Sequence, residues 1–443
     1  TPNIKGNAAD VVTALGKITN TGNANIKLDN AHDLTQLRTI NKATSGVLTF
    51  KTNTIDLKGT VTELNEALNG VTGYAGTVTI SNTDEVSSAS VKSIVDSSET
   101  GKVVVESSAM TIKGASAAMS VLMPLIGDTG SVKVNLTDAH DLTQLQTINN
   151  ETNGAISVFK DDVDFKGSAK SITDALTGIT GYKGKVEFDD AHDLTQLQTI
   201  NNATSGAITF KDNAVKLSGS TATVSEALAG VTGYTGEIDL TDTAGDLSAT
   251  VIEAIADSTN KKPVITKTPT IKGNVQDVVD VLAKITNTGN ANIKLDDAHD
   301  LSKLKTINDA TSGTISLGSD TVALEGDESV ITAALDGITG YKGTITLAND
   351  VSETVQASAI TALANKTNQT TTIKTKFKVE GDSADVVTAL GKVTNTGGAN
   401  IKLKDAHDVS QLKDINNKTT GGIEFFKNDV ALVSDIITLR QAL

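Results

Sequence analysis

Five histidines, each set beside carboxylates, are the residues of this chain best suited to chemistry. The fullest copy reads Asp190-Ala191-His192-Asp193-Leu194-Thr195-Gln196-Leu197, and close variants surround His32, His140, His299 and His407. A His-Asp pair can orient a general base or ligate a metal. Either role needs further ligands or partners converging on one point. The motif histidines are far apart in the chain, so two meet at one metal only if repeats fold back on one another. The structural alternative is specific. With Asp138 as N-cap and Asp141 three residues on, the motif reads as an Asp-x-x-Asp capping box, its carboxylates suited to the positive end of a helix dipole. That reading places His140 at the second helical position, facing a neighbouring loop, and it is the one expected.

The remaining candidates are weaker. The four tyrosines, Tyr74, Tyr182, Tyr234 and Tyr341, all follow Gly-Val/Ile-Thr-Gly. Each also follows a motif histidine at one constant spacing, Tyr74 after His32, Tyr182 after His140, Tyr234 after His192 and Tyr341 after His299. Such a row can stack on sugars, or each ring can close one end of the core with its hydroxyl at the surface; the second role is expected. Carboxylates cluster at Asp161, Asp162 and Asp164, and at Asp239, Asp242 and Asp246. They do not recur in every unit and match neither the EF-hand nor the RTX nonapeptide. Calcium is the cation such clusters could hold, but weak screening of surface acid is the expected reading and no cofactor is expected. Phosphate-loop, dinucleotide, Gly-x-Ser-x-Gly and His-Glu-x-x-His motifs are absent, so no catalytic, cofactor or metal residue is assigned and no enzyme is expected.

Composition points the same way. Among 443 residues there is neither cysteine nor tryptophan, aromatics are 3%, and the net charge is −15. This excludes a disulfide framework and a cysteine nucleophile. Lysine and arginine are scattered singly, without the basic footprint of a nucleic-acid binder. No apolar run reaches the roughly 18–20 residues of a membrane span.

The elements around these residues repeat. A glycine ends an apolar-polar run at Gly6, Gly59, Gly114, Gly167, Gly219, Gly273, Gly326 and Gly381, at intervals of 53, 55, 53, 52, 54, 53 and 55. A ninth beat falls at Ser434. After the glycine, Val61, Leu64, Leu68 and Val71 mark one face of a helix. Gly70 and Gly73 suit a left-handed cap at its end. A short strand (77–80 or 237–240), a second helix, and two strand-like runs (207–210 and 214–217) complete the unit. The expected fold is α/β: a repeat solenoid of about eight 53-residue units, each helix-strand-helix-strand-strand, with mostly parallel strands and helices outside.

Units 1–2 occupy residues 1–109, units 3–5 residues 110–268, units 6–7 residues 269–375, and unit 8 with a truncated ninth residues 376–443. The spacing from His140 to His192 is about half that between the other neighbouring motif histidines. It marks one inserted unit, at about 140–191, which a solenoid accepts because each repeat touches only its neighbours. Met119, Met123 and Pro124 stand where other copies continue a helix, so that helix should end or kink. Neither Thr1-Pro2 nor the helix expected at 437–443 carries a polar capping repeat, which suggests a segment of a longer repetitive protein.

The stretches Asp190–Leu197, Asn201-Asn202-Ala203-Thr204-Ser205-Gly206-Ala207-Ile208 and Gly219–Leu228 resemble the long repetitive cell-surface proteins of cyanobacteria, of the surface-layer, sheath or motility-associated type. The resemblance spans nearly the whole chain. Some of that group carry RTX nonapeptides, which are missing here. It implies an exported, extracellular or cell-surface structural role in a surface layer, sheath or filament. Self-association is the expected partnership, with cell-envelope polysaccharide as a further partner. An adhesin or carbohydrate-binding stalk is the alternative.

Overall fold

A computed structural model describes residues 2–19, 21–287, 289–426 and 431–442. The fold is α/β and repetitive. Among the described residues, α-helices begin at Ala8, Leu34, Val61, Ser88, Ser116 and Leu142, an almost even spacing, and the series continues to Ile436–Ala442. Two helices fall within each interval of the glycine beat. The unit read from the sequence is therefore two successive coils, each built on one helix.

Every strand pairing is parallel, as βαβ connections require. Ile4 lies beside Ile26, Leu57 beside Val78, Glu85 beside Thr111 and Ile112 beside Val134, so each strand pairs with one a single coil further along. The strands form sheets of three or four, such as Asn3–Gly6, Asn25–Leu28 and Leu48–Phe50. The second kind of unit adds a strand that sequence periodicity did not mark, at Glu85–Ser87, Asp246–Ser248 and Thr354–Gln356. The run expected at 214–217 is displaced: the strand is Leu217–Gly219, ending on the beat glycine.

The chain divides into two compact units, Thr1–Val215 with Glu226–Val231, and Lys216–Ser225 with Thr232–Leu443. In the first, Ala8, Val11 and Leu15 of one helix, and Val61, Leu64, Ala67 and Leu68 of another, are buried against the strands. Where the sequence suggests an inserted repeat, at about 140–191, the rhythm continues, with helices Leu142–Asn150, Ala169–Leu176 and Leu194–Ala203 packed in succession. The methionine variant is accommodated as expected: helix Ser116–Leu122 stops, a 3-10 turn at Met123–Leu125 takes Pro124, and Met119 and Met123 are fully buried. In the second unit the helices are Ala249–Ser258, Val275–Lys284 and their successors, with Val278, Ile307, Ile360 and Val386 buried. The ninth-beat helix is present at Ile436–Ala442, its start capped by Asp435, whose carboxylate accepts from Thr438 N at 2.9 Å. Thr1 and Leu443 lie outside the described residues.

Glycine does two different jobs. Gly70 (φ 72°), after Asn69 (φ −56°, ψ 123°), forms a type II turn closed by Val71 N–H to Leu68 O at 2.9 Å, in place of the left-handed helix cap expected. The beat and Thr-Ser-Gly glycines instead allow close approach. A Cβ on Gly59 would meet Leu34 Cδ2 of the preceding helix at 2.5 Å, and one on Gly46 would meet the backbone oxygen of Ala24 at 2.1 Å. Gly6 is different, with its nearest neighbour at 3.5 Å. Gly46→Ala should therefore lower stability by about 1–3 kcal/mol through overpacking. Gly6→Ala should stay within about 0.5 kcal/mol. Urea denaturation of the two variants checks this, and an equal loss in both would refute the close-approach account.

Candidate functional site

The His-Asp motif is a joint between coils. Around His140, Asp141 is the N-cap of helix Leu142–Asn150: its carboxylate accepts from Gln144 N at 2.8 Å, and Gln144 Oε1 accepts from Asp141 N at 3.1 Å. The expected box with Asp138 as N-cap is thus shifted by three residues, and His140 lies before the helix, not at its second position. Asp138 serves another helix. Its Oδ1 accepts from Ser116 N at 2.6 Å and from Ser116 Oγ at 2.8 Å, at the first position of the helix one coil earlier. These bonds, the backbone one first, hold the Asp138 carboxyl below the usual carboxylate range.

The same reach recurs along the chain. Asn30 caps Ala8 N (2.8 Å), Asn82 caps Val61 N (2.6 Å), Asp190 caps Ala169 N (2.7 Å), and Asp242 caps Thr221 N (2.8 Å). Asp297, Asn349 and Asp405 do so for Val275, Glu328 and Ser383 at 2.7–2.9 Å. The first turn of a helix leaves its N–H groups without intrahelical partners, and here a neighbour supplies one acceptor.

Helix C-termini are served from the other direction. Asn41 Nδ2 reaches the backbone oxygens of Ala67 (3.1 Å) and Asn69 (2.9 Å) on the next helix. Asn149 does the same with Asp174 O (2.7 Å) and Thr177 O (2.9 Å), and Asn308 with Ala333 O (2.6 Å) and Asp336 O (2.9 Å). Buried threonines complete the joint. Thr44 Oγ1 donates to Ala24 O at 2.6 Å and accepts from Gly46 N at 2.9 Å, a pattern repeated at Thr152, Thr311 and Thr419.

The histidines are buried, at 4–7% exposure, and the tyrosines at 0–2%. His32 Nε2 lies 2.8 Å from Tyr74 Oη, and Tyr74 donates to Ile55 O at 2.7 Å. The rings of His32, Phe50 and Tyr74 form one cluster with centroids 5.0–5.8 Å apart. His140 repeats the arrangement with Tyr182 at 3.1 Å, Val163 O at 2.9 Å and Phe165. His192 packs on Phe188 and Phe210, and His407 stacks on Phe425. His299 keeps the burial without a hydrogen bond at either ring nitrogen among the described residues, while Tyr341 donates to Val322 O. Burial pushes His32, His140, His192 and His299 below the ordinary imidazole value despite the adjacent carboxylates. It also pushes Tyr74 and Tyr182 up, and Tyr341 up to about 12.

One expectation is corrected by this geometry. The tyrosine hydroxyls are not at the surface: those of Tyr74, Tyr182 and Tyr341 donate to backbone oxygens, and the first two also lie against His32 and His140. Rings so fully covered offer no face to a sugar, so the stacking ladder, the alternative not expected, is excluded. The link between histidine and tyrosine was present in the sequence as their constant spacing, though the spacing alone did not identify a contact. The two carboxylate clusters are also dispersed. Asp161 pairs with Lys183 (2.8 Å), Asp164 accepts from Lys185 N (2.9 Å), Asp239 pairs with Lys216 (2.6 Å) and Asp246 with Lys294 (2.9 Å). No group of three or more metal-ligating side chains converges among the described residues.

One open concavity of about 1090 Å3 lies where helix C-termini meet in the first unit, lined by Asn41, Thr44, Asn65, Glu66, Asn69 and Ser90. Smaller equivalents lie at Asn149–Gly178 and, in the second unit, at Asn308–Gly337. Their lining mixes hydroxyls and amides with charged side chains, Lys42 and Glu66 in the first, Asp174 in the second and Asp309 and Asp336 in the third, without a histidine. Fold and joints together define a solenoid-like α/β repeat protein. Comparison with protein-family models and with curated proteins finds no match.

Tyr182→Phe should cost about 1–3 kcal/mol, because Val163 O and His140 Nε2 lose a buried partner. Asn149→Ala should cost a similar amount through the exposed ends of helix Ala169–Leu176. Calorimetry or urea denaturation measures both, and unchanged stability in the pair would mean that the joints carry no load.

Proposed function

We propose that this chain is a non-catalytic structural protein of the cell surface or extracellular space, which forms or decorates a surface layer, sheath or filament by stacking and self-association of its repeats. One observation carries the reading. The recurring polar residues of the motif, those whose types suit chemistry, are spent on joining each coil to its neighbours. What remains exposed includes many lysine–carboxylate pairs, such as Lys113 with Glu85 and Lys166 with Glu187. One further feature favours association: Val47, Val121, Phe159 and Val351 are exposed within the repeats, apolar area that packing against another copy would cover. The resemblance of the repeats to long cyanobacterial surface proteins supports the same role. No described helix is long and apolar enough to cross a membrane.

Carbohydrate binding is the second reading, favoured by the concavities at the helix ends, where hydroxyls, amides and carboxylates line an open surface; these, not the tyrosines, are the surfaces a sugar can reach. Envelope polysaccharide is the partner that reading would take.

Sedimentation and negative-stain electron microscopy over a concentration series test the first reading. The expected result is concentration-dependent rods or sheets, weakened by Val47→Lys with Phe159→Lys. A monodisperse monomer at all concentrations would contradict it. Binding to purified envelope polysaccharide, lost in Asn65→Ala with Ser90→Ala, would favour the second.

A further inference from the structure

The histidine–tyrosine joints have a defined proton arrangement. A tyrosine hydroxyl has one hydrogen, and Tyr74 donates it to Ile55 O at 2.7 Å. Toward His32, 2.8 Å away, Tyr74 therefore accepts, so Nε2 of His32 carries the imidazole hydrogen. Nδ1 is then the bare nitrogen, and among the described residues it is buried without a hydrogen-bond partner. The same reasoning assigns Nε2–H to His140, through Tyr182 and Val163 O, again with Nδ1 buried and unpartnered. At His299 both ring nitrogens are buried and unpartnered.

A second proton has only Nδ1 to occupy, where it finds no acceptor, and the charge it brings is removed from water. The groups facing each ring do not reverse this. Asp33 stands beside His32, with Asp56 near Tyr74 across the joint. Asp138 and Asp141 stand beside His140, with Asp161, Asp162 and Asp164 near Tyr182. Asp297 and Asp300 stand beside His299. Asp33, Asp141 and Asp300 are committed to helix N-termini, and Asp138 and Asp297 to the preceding coil. Burial outweighs their attraction in all three cases.

We propose that these joints are an acid latch: an imidazole that takes a second proton must leave its buried position, releasing the tyrosine, and the seam between neighbouring coils opens. The latch stands on the geometry of the joint and does not depend on the structural role proposed above. Its sign follows from linkage. A histidine whose folded value lies below its unfolded one contributes stability that is complete above the unfolded value, near 6.5, and is lost as pH falls below it. Carboxylates lose their contribution in a lower window, so a comparison between pH 7.5 and 5.0 isolates the histidines.

The test is the urea midpoint at pH 7.5 and 5.0 for the wild-type chain and for His32→Gln with His140→Gln, in which the glutamine amide can donate to tyrosine but cannot titrate. The wild-type midpoint should fall, and the double variant should lose roughly half as much, since two of four down-shifted histidines are removed. No fall in the wild type, or an equal fall in both proteins, overturns the proposal. Should the variant fail to fold, carbon-13 and nitrogen-15 labelling of the wild-type histidines decides. The latch requires Nε2–H imidazoles that stay neutral in the folded chain below pH 6. Free titration near 6.5 in a chain that remains folded overturns it.

Discussion

A short helix cannot satisfy its own ends, and this constraint shapes the protein. The helices here run to only seven to ten residues, below the roughly 12–15 at which an isolated helix becomes stable in water. At such lengths the unpaired N–H groups of the first turn and carbonyls of the last are a large share of the backbone. The chain meets the need sideways. A carboxylate or amide one coil later caps the start of a helix, and an asparagine one coil earlier caps the end of the next. Many helices also carry their own N-cap, as at Asn7, Asp33, Thr60 and Asp141, whereas Ser248, Asp327 and Asp382 make no such bond. Stability therefore resides in the joints between neighbours, which is the condition for a solenoid to accept an inserted repeat without disturbance.

The low aromatic content fits this economy. Coils stack closely enough that glycine is needed where one backbone passes another, as Gly46 passes Ala24. The larger rings are confined mostly to the histidine–tyrosine–phenylalanine clusters, which close the space between coils where the small residues would leave a gap. Exposed Lys–Asp and Lys–Glu pairs across adjacent strands, such as Lys113 with Glu85 and Lys166 with Glu187, add little individually at this degree of exposure.

Much of the fold could be read from the sequence. The glycine beat marked the repeating unit, and the i, i+3, i+7 spacing marked the helical face. The half-unit coil was hidden because its two versions differ in sequence, one starting its helix after glycine and the other after Ala-His-Asp. The roles of Asp138 and Asp141 were confused for a related reason. A local capping rule assigns an acidic residue to the helix beside it, whereas Asp138 reaches back a whole coil to Ser116. The tyrosine hydroxyl was also misjudged: the ring was expected to close the core with its hydroxyl at the surface, while Tyr74 turns it inward between His32 and Ile55 O. In each case what the sequence could not reveal was a contact one coil away.

Hydrogen exchange in Asp138→Ala tests most directly whether the motif caps its neighbour's helix. The expected result is faster exchange at the first amides of helix Ser116–Leu122, one coil before the substitution, with helix Leu142–Asn150 still protected by Asp141. Faster exchange confined to Leu142–Asn150, with Ser116–Leu122 unchanged, would contradict it.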